Sequence, residues 1–309
     1  MDKVLNNSDI LFIYDAKLCN PNGDPDDENK PRMDYERSVN LVSDVRLKRY
    51  IRDYFQWTGQ EVFVAKQDDK SVTATDRIKS LLNVEKSKVL TDEEKRTLLN
   101  KLIDVRLFGA TMPIKIDEKK GSSTTFTGPV QFNWGFSLNK VRIVDSSGIT
   151  SHFSSETDRE QGTMGKDYRV YYSLIAFHGI VSAKRADKTL LKEGDLKLLD
   201  EAMVKAIPLM ATTRSKIGQQ PRLYLRVRYN DDFTFLGDLR NYIRLVEDNG
   251  SLRDISEVQL DIQPLCEYLT QHKDKIKEVY VWQDSLLQLV PFRNLSEALQ
   301  SSEIKVKTV

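Results

Sequence analysis

An α+β fold is predicted for this 309-residue chain by three observations. Residues 10–14 form a short apolar run ending at Asp15, residues 41–55 are basic and amphipathic, and residues 222–229 alternate strictly. Taken with weaker signals between them, they give the order strand, helix, strand, strand, helix, strand, with a large insertion between the second and third strands.

Ile10-Leu11-Phe12-Ile13-Tyr14 reads as a buried strand because it is short, rich in Ile and aromatics, and bounded by breakers. Asn20-Pro21-Asn22-Gly23-Asp24-Pro25 follows it, and two X-Pro steps around an Asn-Gly force a loop. The helix at 41–55 starts after Asn40, read as its N-cap, with Asp44 in the first turn where a carboxylate suits the helix dipole. Leu41, Val45, Leu47, Ile51, Tyr54 and Phe55 cover about half its circumference at roughly 100° per residue. Lys48 and Arg52 stack as i,i+4 partners beside that apolar face. Two readings of the pair stand: stems snorkelling out of a half-buried face, or a cationic site aimed at a phosphate chain.

Glu61-Val62-Phe63-Val64-Ala65 is a short strand, and residues 66–70 form a polar turn. Residues 75–82 and 91–107 are helical, the second opened by the capping box Thr91-Asp92-Glu93-Glu94. Gly121-Ser122-Ser123-Thr124-Thr125-Phe126-Thr127-Gly128 is small, polar and uncharged, and leads into an alternating strand at 130–138. Such a run is a plain surface loop, or one whose amides approach phosphates while Phe126 meets a base or sugar. Asn133-Trp134-Gly135-Phe136 lacks the residue order of an RNA-recognition-motif strand, so no base stacking on the sheet is expected there. Residues 141–153 suggest a hairpin turning at Ser147-Gly148. Gln161-Gly162-Thr163-Met164-Gly165-Lys166-Asp167 is too tightly spaced for a Walker A loop, and Asp167 stands where a hydroxyl would hold magnesium.

A long strand at 168–183 carries His178, for which the sequence nominates no partner; a hydrogen-bonded core histidine is the plainer account. A helix at 193–207, exiting at Pro208, precedes an acid-free loop to Pro221. In the strand 222–229, Leu223, Leu225 and Val227 share one face, and Arg222, Tyr224, Arg226 and Arg228 the other, read as phosphate-facing or as an interface. This βαββαβ order is the ferredoxin-like module. Beyond Tyr229 come short strands at 241–246 and 258–262 around an Asn249-Gly250 turn, a helix at 264–273, a strand at 279–282, and a frayed tail at 301–309.

Net charge is only +1, but it is segregated. Residues 202–230 hold Lys205, Arg214, Lys216, Arg222, Arg226 and Arg228 with no acid; residues 119–144 hold Lys119, Lys120, Lys140 and Arg142, again without one. That pattern fits a subunit holding nucleic acid on one side and touching other copies on another. No apolar span reaches membrane length and the N-terminus has no apolar signal core, so a cytoplasmic protein is expected. Cys19 and Cys266 stand alone and are expected to be reduced. A carboxylate group of Asp15, Asp24, Asp26 and Asp27 raises a metal-dependent nuclease as the alternative. It fails as a calcium loop on spacing and lacks a second acidic cluster.

The loop block at 20–25 with Pro31-Arg32, the helix block at 41–52, and the blocks Asp104-Val105-Arg106-Leu107-Phe108-Gly109-Ala110, Gly128-Pro129-Val130-Gln131 and His178-Gly179-Ile180-Val181-Ser182-Ala183 occur in this order. Together they resemble the backbone subunit of type I CRISPR Cascade, the seventh CRISPR-associated protein family, closest to its subtype I-B branch. The resemblance runs from about residue 9 to 229. It implies an RRM-like palm (1–56 plus 166–230, with a thumb loop near 208–221), inserted fingers (57–165) and a C-terminal extension (231–309). Such a subunit polymerises with further copies of itself along guide RNA, beside other Cascade subunits, and presents the guide to target DNA without cutting it. It needs no cofactor or metal.

The resemblance also assigns residues. Lys48, Arg49 and Arg52 match the helix positions that grip guide phosphates, and Asn20 and Asn22 match the loop approaching the backbone; Arg46 is a weaker contact candidate. Thr212, Arg214, Ser215 and Lys216 fall in the thumb, and Arg226 on the basic strand face. Ser123, Thr124, Phe126 and Met164 are the weaker contacts to RNA or target DNA. Related type III backbone proteins cleave RNA with a loop aspartate, which keeps Asp24 and Asp26 as the enzymatic alternative.

Overall fold

The computed structural model describes residues 3–65, 72–84, 89–115, 121–145, 147–150, 164–247 and 250–309. The expected polar turn at 66–70, Lys119, Lys120, residues 161–163 and Asn249 lie outside the described residues.

The main sheet begins with β1 (Ser8–Cys19), β2 (Met33–Asp34) and β3 (Val39–Val42). Helix α1 (Asp44–Trp57) follows β3, and the insertion holds α2 (Ala74–Leu82), α3 (Asp92–Lys101), α4 (Ile103–Phe108) and the hairpin β4 (Gly109–Lys115) and β5 (Gly121–Thr127). The chain then adds β6 (Val130–Phe132), β7 (Gly135–Ser137), β8 (Val170–Val181), α5 (Ala183–Thr189), α6 (Glu193–Met210) and β9 (Gln219–Tyr229). Helix α7 (Gln263–Gln271), β10 (Ile276–Gln283), α8 (Leu295–Ser301) and β11 (Val306–Thr308) complete it. The nine-stranded sheet runs β11-β10-β9-β1-β8-β7-β3-β2, with β6 also on β8. Strand β1 is antiparallel to both β8 and β9.

Both faces of that sheet are covered. Ile10, Phe12 and Tyr14 pack with Ile51, Phe55, Leu199 and Met203 of α1 and α6, while Leu11 and Ile13 pack with Leu260, Leu265 and Val279 of the C-terminal region. Burial on both sides is why β1 reads as a continuous apolar run instead of an alternating one. It also leaves no open face on β1, β8 and β9 for bases to stack on. The insertion has its own core of Ile78, Leu98, Leu102, Val105 and Met112. None of the described helices is long and apolar enough to cross a membrane.

Several expected elements are corrected. Residues 61–65 form no strand. The buried Asp104 carboxylate takes the Phe63 and Val64 amides at 2.7 and 3.2 Å, and β6 and β7 occupy the place beside β8. The insertion therefore precedes the second core strand. Asn40 lies in β3, and Ser43 occupies the N-cap position; α6 runs through Pro208 to Met210. Gly148–Thr150 pairs with Met164–Lys166, so the expected 141–153 hairpin does not close on itself. At 241–246 a 3-10 turn precedes a two-residue strand. The tail is not frayed: Ile304 is buried and β11 docks parallel on β10.

Candidate nucleic-acid interface

The end of β1, the start of α1 and the loop before β9 meet at one place. Lys17 N donates to Gly218 O at 2.8 Å, and Asn20 N to Ser215 O at 2.8 Å. Lys216 Nζ donates to Asn20 O at 2.6 Å, and Gln219 Nε2 reaches both Tyr50 Oη and Lys216 O at 2.9 Å. Gly218 is required here: its φ is +110°, and a Cβ would stand 2.3 Å from Lys17 O.

Two cations crowd this junction. The Arg46 guanidinium lies 3.9 Å from the Tyr50 ring centroid, and its buried Nε has no hydrogen-bond partner. Burial, with the nearby Arg46 charge adding to it, pulls the Lys216 pKa down to about 8. Among the described residues neither side chain is ion-paired with a carboxylate. A doubly cationic corner without a counter-charge is unfavourable by itself and becomes favourable when an anion enters it.

Other expected residues have different surroundings. Lys48 is buried and donates to Asp44 Oδ2 at 3.0 Å and Gln131 Oε1 at 2.9 Å. Arg52 is engaged by the buried Asp104 at 3.0 Å. Arg49 is exposed but chelated by Asp53 at 2.7 and 2.8 Å. Asn22 works inside the fold, accepting from Ser43 N and Oγ at 2.8 Å each. Asn20 is buried, its Nδ2 donating to Asn29 O and its Oδ1 unpartnered. Thr212 is exposed, and Arg214 reaches Asp167 at 3.2 Å, a carboxylate it shares with Arg169.

Arg226 is a correction. It is only 2% exposed and clamped bidentately by Asp200 of α6, whose carboxylate also takes the Tyr224 hydroxyl. Arg222 pairs with Asp15 and Asp284, and Arg228 with Glu193 and Glu278. The acid-free window misled because the compensating carboxylates come from β1, α6 and β10. Phe126 is half-buried with its ring packed against the insertion core, while Ser123 is exposed and Thr124 half-buried on β5. Met164 is described only as backbone, in the strand paired with Gly148–Thr150.

The candidate metal ligands do not gather. Asp15 is spent on Arg222 and Tyr172, Asp24 on Arg32, and Asp27 on Lys30. Among the described residues no group of three or more His, Cys, Asp or Glu could hold a metal ion. His178 is half-buried with an unpartnered Nδ1.

The sequence blocks at 104–110 and 128–131 prove to be one structural knot. Arg106 makes a bidentate pair with Asp195 at 2.8 Å, and Gln131 Nε2 ties the Phe108 and Gly128 carbonyls together while its Oε1 receives Lys48. Gly128 is forced by close approach, since a Cβ would lie 2.0 Å from the Phe108 carbonyl carbon. Arg46 and Tyr50 are the residues that sequence reasoning undervalued; their i,i+4 spacing, placing a cation over an aromatic on one helix edge, was the available signal.

Two chains in solved structures described as "CRISPR RNA-guided surveillance complex, pre-nicking" and "CRISPR RNA-guided surveillance complex" share the fold. Each has a TM-score of 0.50 at 14% identity and covers 96% of this chain; 98% and 97% of those chains are covered in turn. A CRISPR-associated protein Cas7 of Haloferax volcanii is 36% identical over 302 residues, 92% of this chain and 89% of the relative. The family model for CRISPR-associated protein Cas7 matches residues 6–263. By that match and that identity, the chain belongs to the CRISPR-associated protein Cas7 family.

Proposed function

We propose that this protein is a non-catalytic backbone subunit of a type I Cascade of the I-B kind. It polymerises on CRISPR guide RNA, grips the guide's backbone without regard to sequence, and holds its bases for pairing with target DNA. The antiparallel order β9-β1-β8 followed by β6 and β7, with α1 and α6 on one face, supports an RRM-like palm. In that reading the insertion between α1 and β6 is the fingers, 208–221 the thumb, and residues after 230 an extension covering the palm's second face.

The observation that carries the reading is the uncompensated Arg46–Lys216 pair seated where β1, α1 and the thumb meet. Two backbone phosphates there, one for each cation, restore neutrality, take charge-assisted hydrogen bonds and carry no sequence information. Thr212, Arg214 and Ser215 extend the same strip, and Asn20 with Asn22 shapes its wall. Lys48 and Arg52 act on the guide indirectly, by tying α1 to Gln131 of β6 and Asp104 of α4, and Arg49, exposed on α1, reaches the guide on leaving its i,i+4 partner Asp53. Ser123 and Thr124 remain a secondary contact surface on the fingers.

The test is purification with and without co-expressed guide RNA, followed by sizing and nuclease protection. Regular protected intervals are expected, and R46A/K216A weakens binding equally for unrelated spacers. Its log–log salt slope falls by about 1.4, two phosphates at roughly 0.7 each for single strands. Loss confined to one spacer, or Mg²⁺-dependent cleavage of the guide, overturns the reading.

A further inference from the structure

The turn after β9 displays an aromatic ring that the fold does not use. Phe233 is 76% exposed, yet its backbone is firmly held. Asp231 Oδ1 accepts from Phe233 N and Thr234 N at 2.9 and 2.7 Å, and Oδ2 accepts from Thr234 Oγ1 at 2.9 Å. The N-terminal segment fastens the turn to the sheet: Asn7 N donates to Asp231 O at 2.9 Å, and Asn7 Nδ2 to Thr234 O at 3.2 Å.

Beside this ring stands a basic helix. Lys184 Nζ is 3.2 Å from the Phe233 centroid, and α5 also carries exposed Arg185 and Lys188. Asp187, the helix's own acid, is taken by Lys3 at 2.8 Å. None of Lys184, Arg185 and Lys188 is ion-paired with a carboxylate among the described residues. Asn7 Oδ1 accepts from Ala183 N at 2.9 Å, so one side chain fixes both the turn and the start of α5. Against the three unpaired cations stand the two acids of the turn, exposed Asp231, whose carboxylate is taken by the turn's own donors, and half-buried Asp232.

A rigid ring capped by an ammonium on one face, with further cations alongside, holds the parts of a single-strand platform: a surface for a base and charges for its phosphates. A cationic collar is the wrong rim for an apolar protein knob, whose surroundings are depleted in lysine. The site is also remote from the Arg46–Lys216 corner. Asn7 precedes β1 and Asn20 follows it, and a twelve-residue strand separates them by about 40 Å at roughly 3.3 Å per residue.

We propose that Phe233 with Lys184, Arg185 and Lys188 is a second nucleic-acid contact, which takes a single strand of any sequence by stacking one base on the ring and pairing flanking phosphates with the cations. The test is fluorescence anisotropy of the full chain, guide-loaded and guide-free, with a labelled oligonucleotide unrelated to the guide, in DNA and RNA forms. F233A is expected to weaken binding by roughly 5- to 150-fold, the range of one base–aromatic stack. F233W retains binding, and K184A/R185A/K188A lowers the log–log salt slope by about 2. Guide loading is unchanged in all of them. Repeating the series in the R46A/K216A background separates the two sites, because the Phe233 effect persists there whether or not the guide reading holds. Unchanged probe binding by F233A overturns the proposal, as does a preference for RNA over DNA above tenfold. A change in particle size with probe binding intact also overturns it and assigns the ring to a protein contact.

Discussion

Guide affinity is expected to depend on pH in the native protein, and replacing Lys216 by arginine should abolish that dependence. In the free protein the Lys216 ammonium, disfavoured by burial and by Arg46, titrates near pH 8. Its protonated fraction therefore falls from about 0.9 at pH 7 to about 0.1 at pH 9. A bound phosphate favours the charged form and returns the pKa towards the ordinary lysine range. By linkage, guide affinity then drops about tenfold between pH 7 and pH 9. An arginine stays charged throughout, so K216R keeps a flat profile. R46A removes one of the two causes of the shift, so the fall moves to higher pH. Filter binding with a fixed spacer, run at constant ionic strength, reads all three proteins, and K216R controls for titration of the RNA. An identical decline in wild type and K216R would refute the phosphate assignment at this corner.

The remaining predictions concern what holds that corner in place. D104A strips the acceptor from Arg52, Phe63 N and Val64 N, and should cost about 3–5 kcal/mol in urea unfolding, the cost of an orphaned buried charge. A loss below about 1 kcal/mol means that Arg52 is free to leave. R226A should cost a similar amount, while R226M/D200L recovers most of it, and the double variant binds guide normally. Reduced guide affinity in that stable double variant would reinstate Arg226 as a contact. Burial works against the Glu278 carboxylate, but Lys307, Tyr280 and Arg228 outweigh it and hold its pKa at about 2. A depressed carboxylate stabilises above its unfolded pKa of about 4.3 and loses that contribution as pH falls. E278Q should thus be less stable than wild type at pH 6, with the gap closing towards pH 2. A gap independent of pH removes the charge from the explanation.

Much of the fold is local enough to be written in the chain. The apolar run of β1, the amphipathic spacing of α1 and the period-two alternation of β9 each fix an element through neighbouring residues alone, and all three form. The spaced blocks likewise identify the family without coordinates. The apolar residues of 61–65 suit the second core strand as well as they suit the bend that the structure has there. Only the reach of Asp104, about forty residues later, shows that those amides are already bonded to a carboxylate.

Charge was the least legible quantity. Arg226 and Arg222 lie in an acid-free stretch, yet Asp200, Asp15 and Asp284 neutralise them across the sheet. Lys216 lies in the same acid-free stretch, and no carboxylate among the described residues pairs with it. Covalent order sets which side chains share a face of one helix or strand. Whether a cation finds a carboxylate depends on a few ångströms between elements that lie far apart in sequence, and packing alone settles that distance.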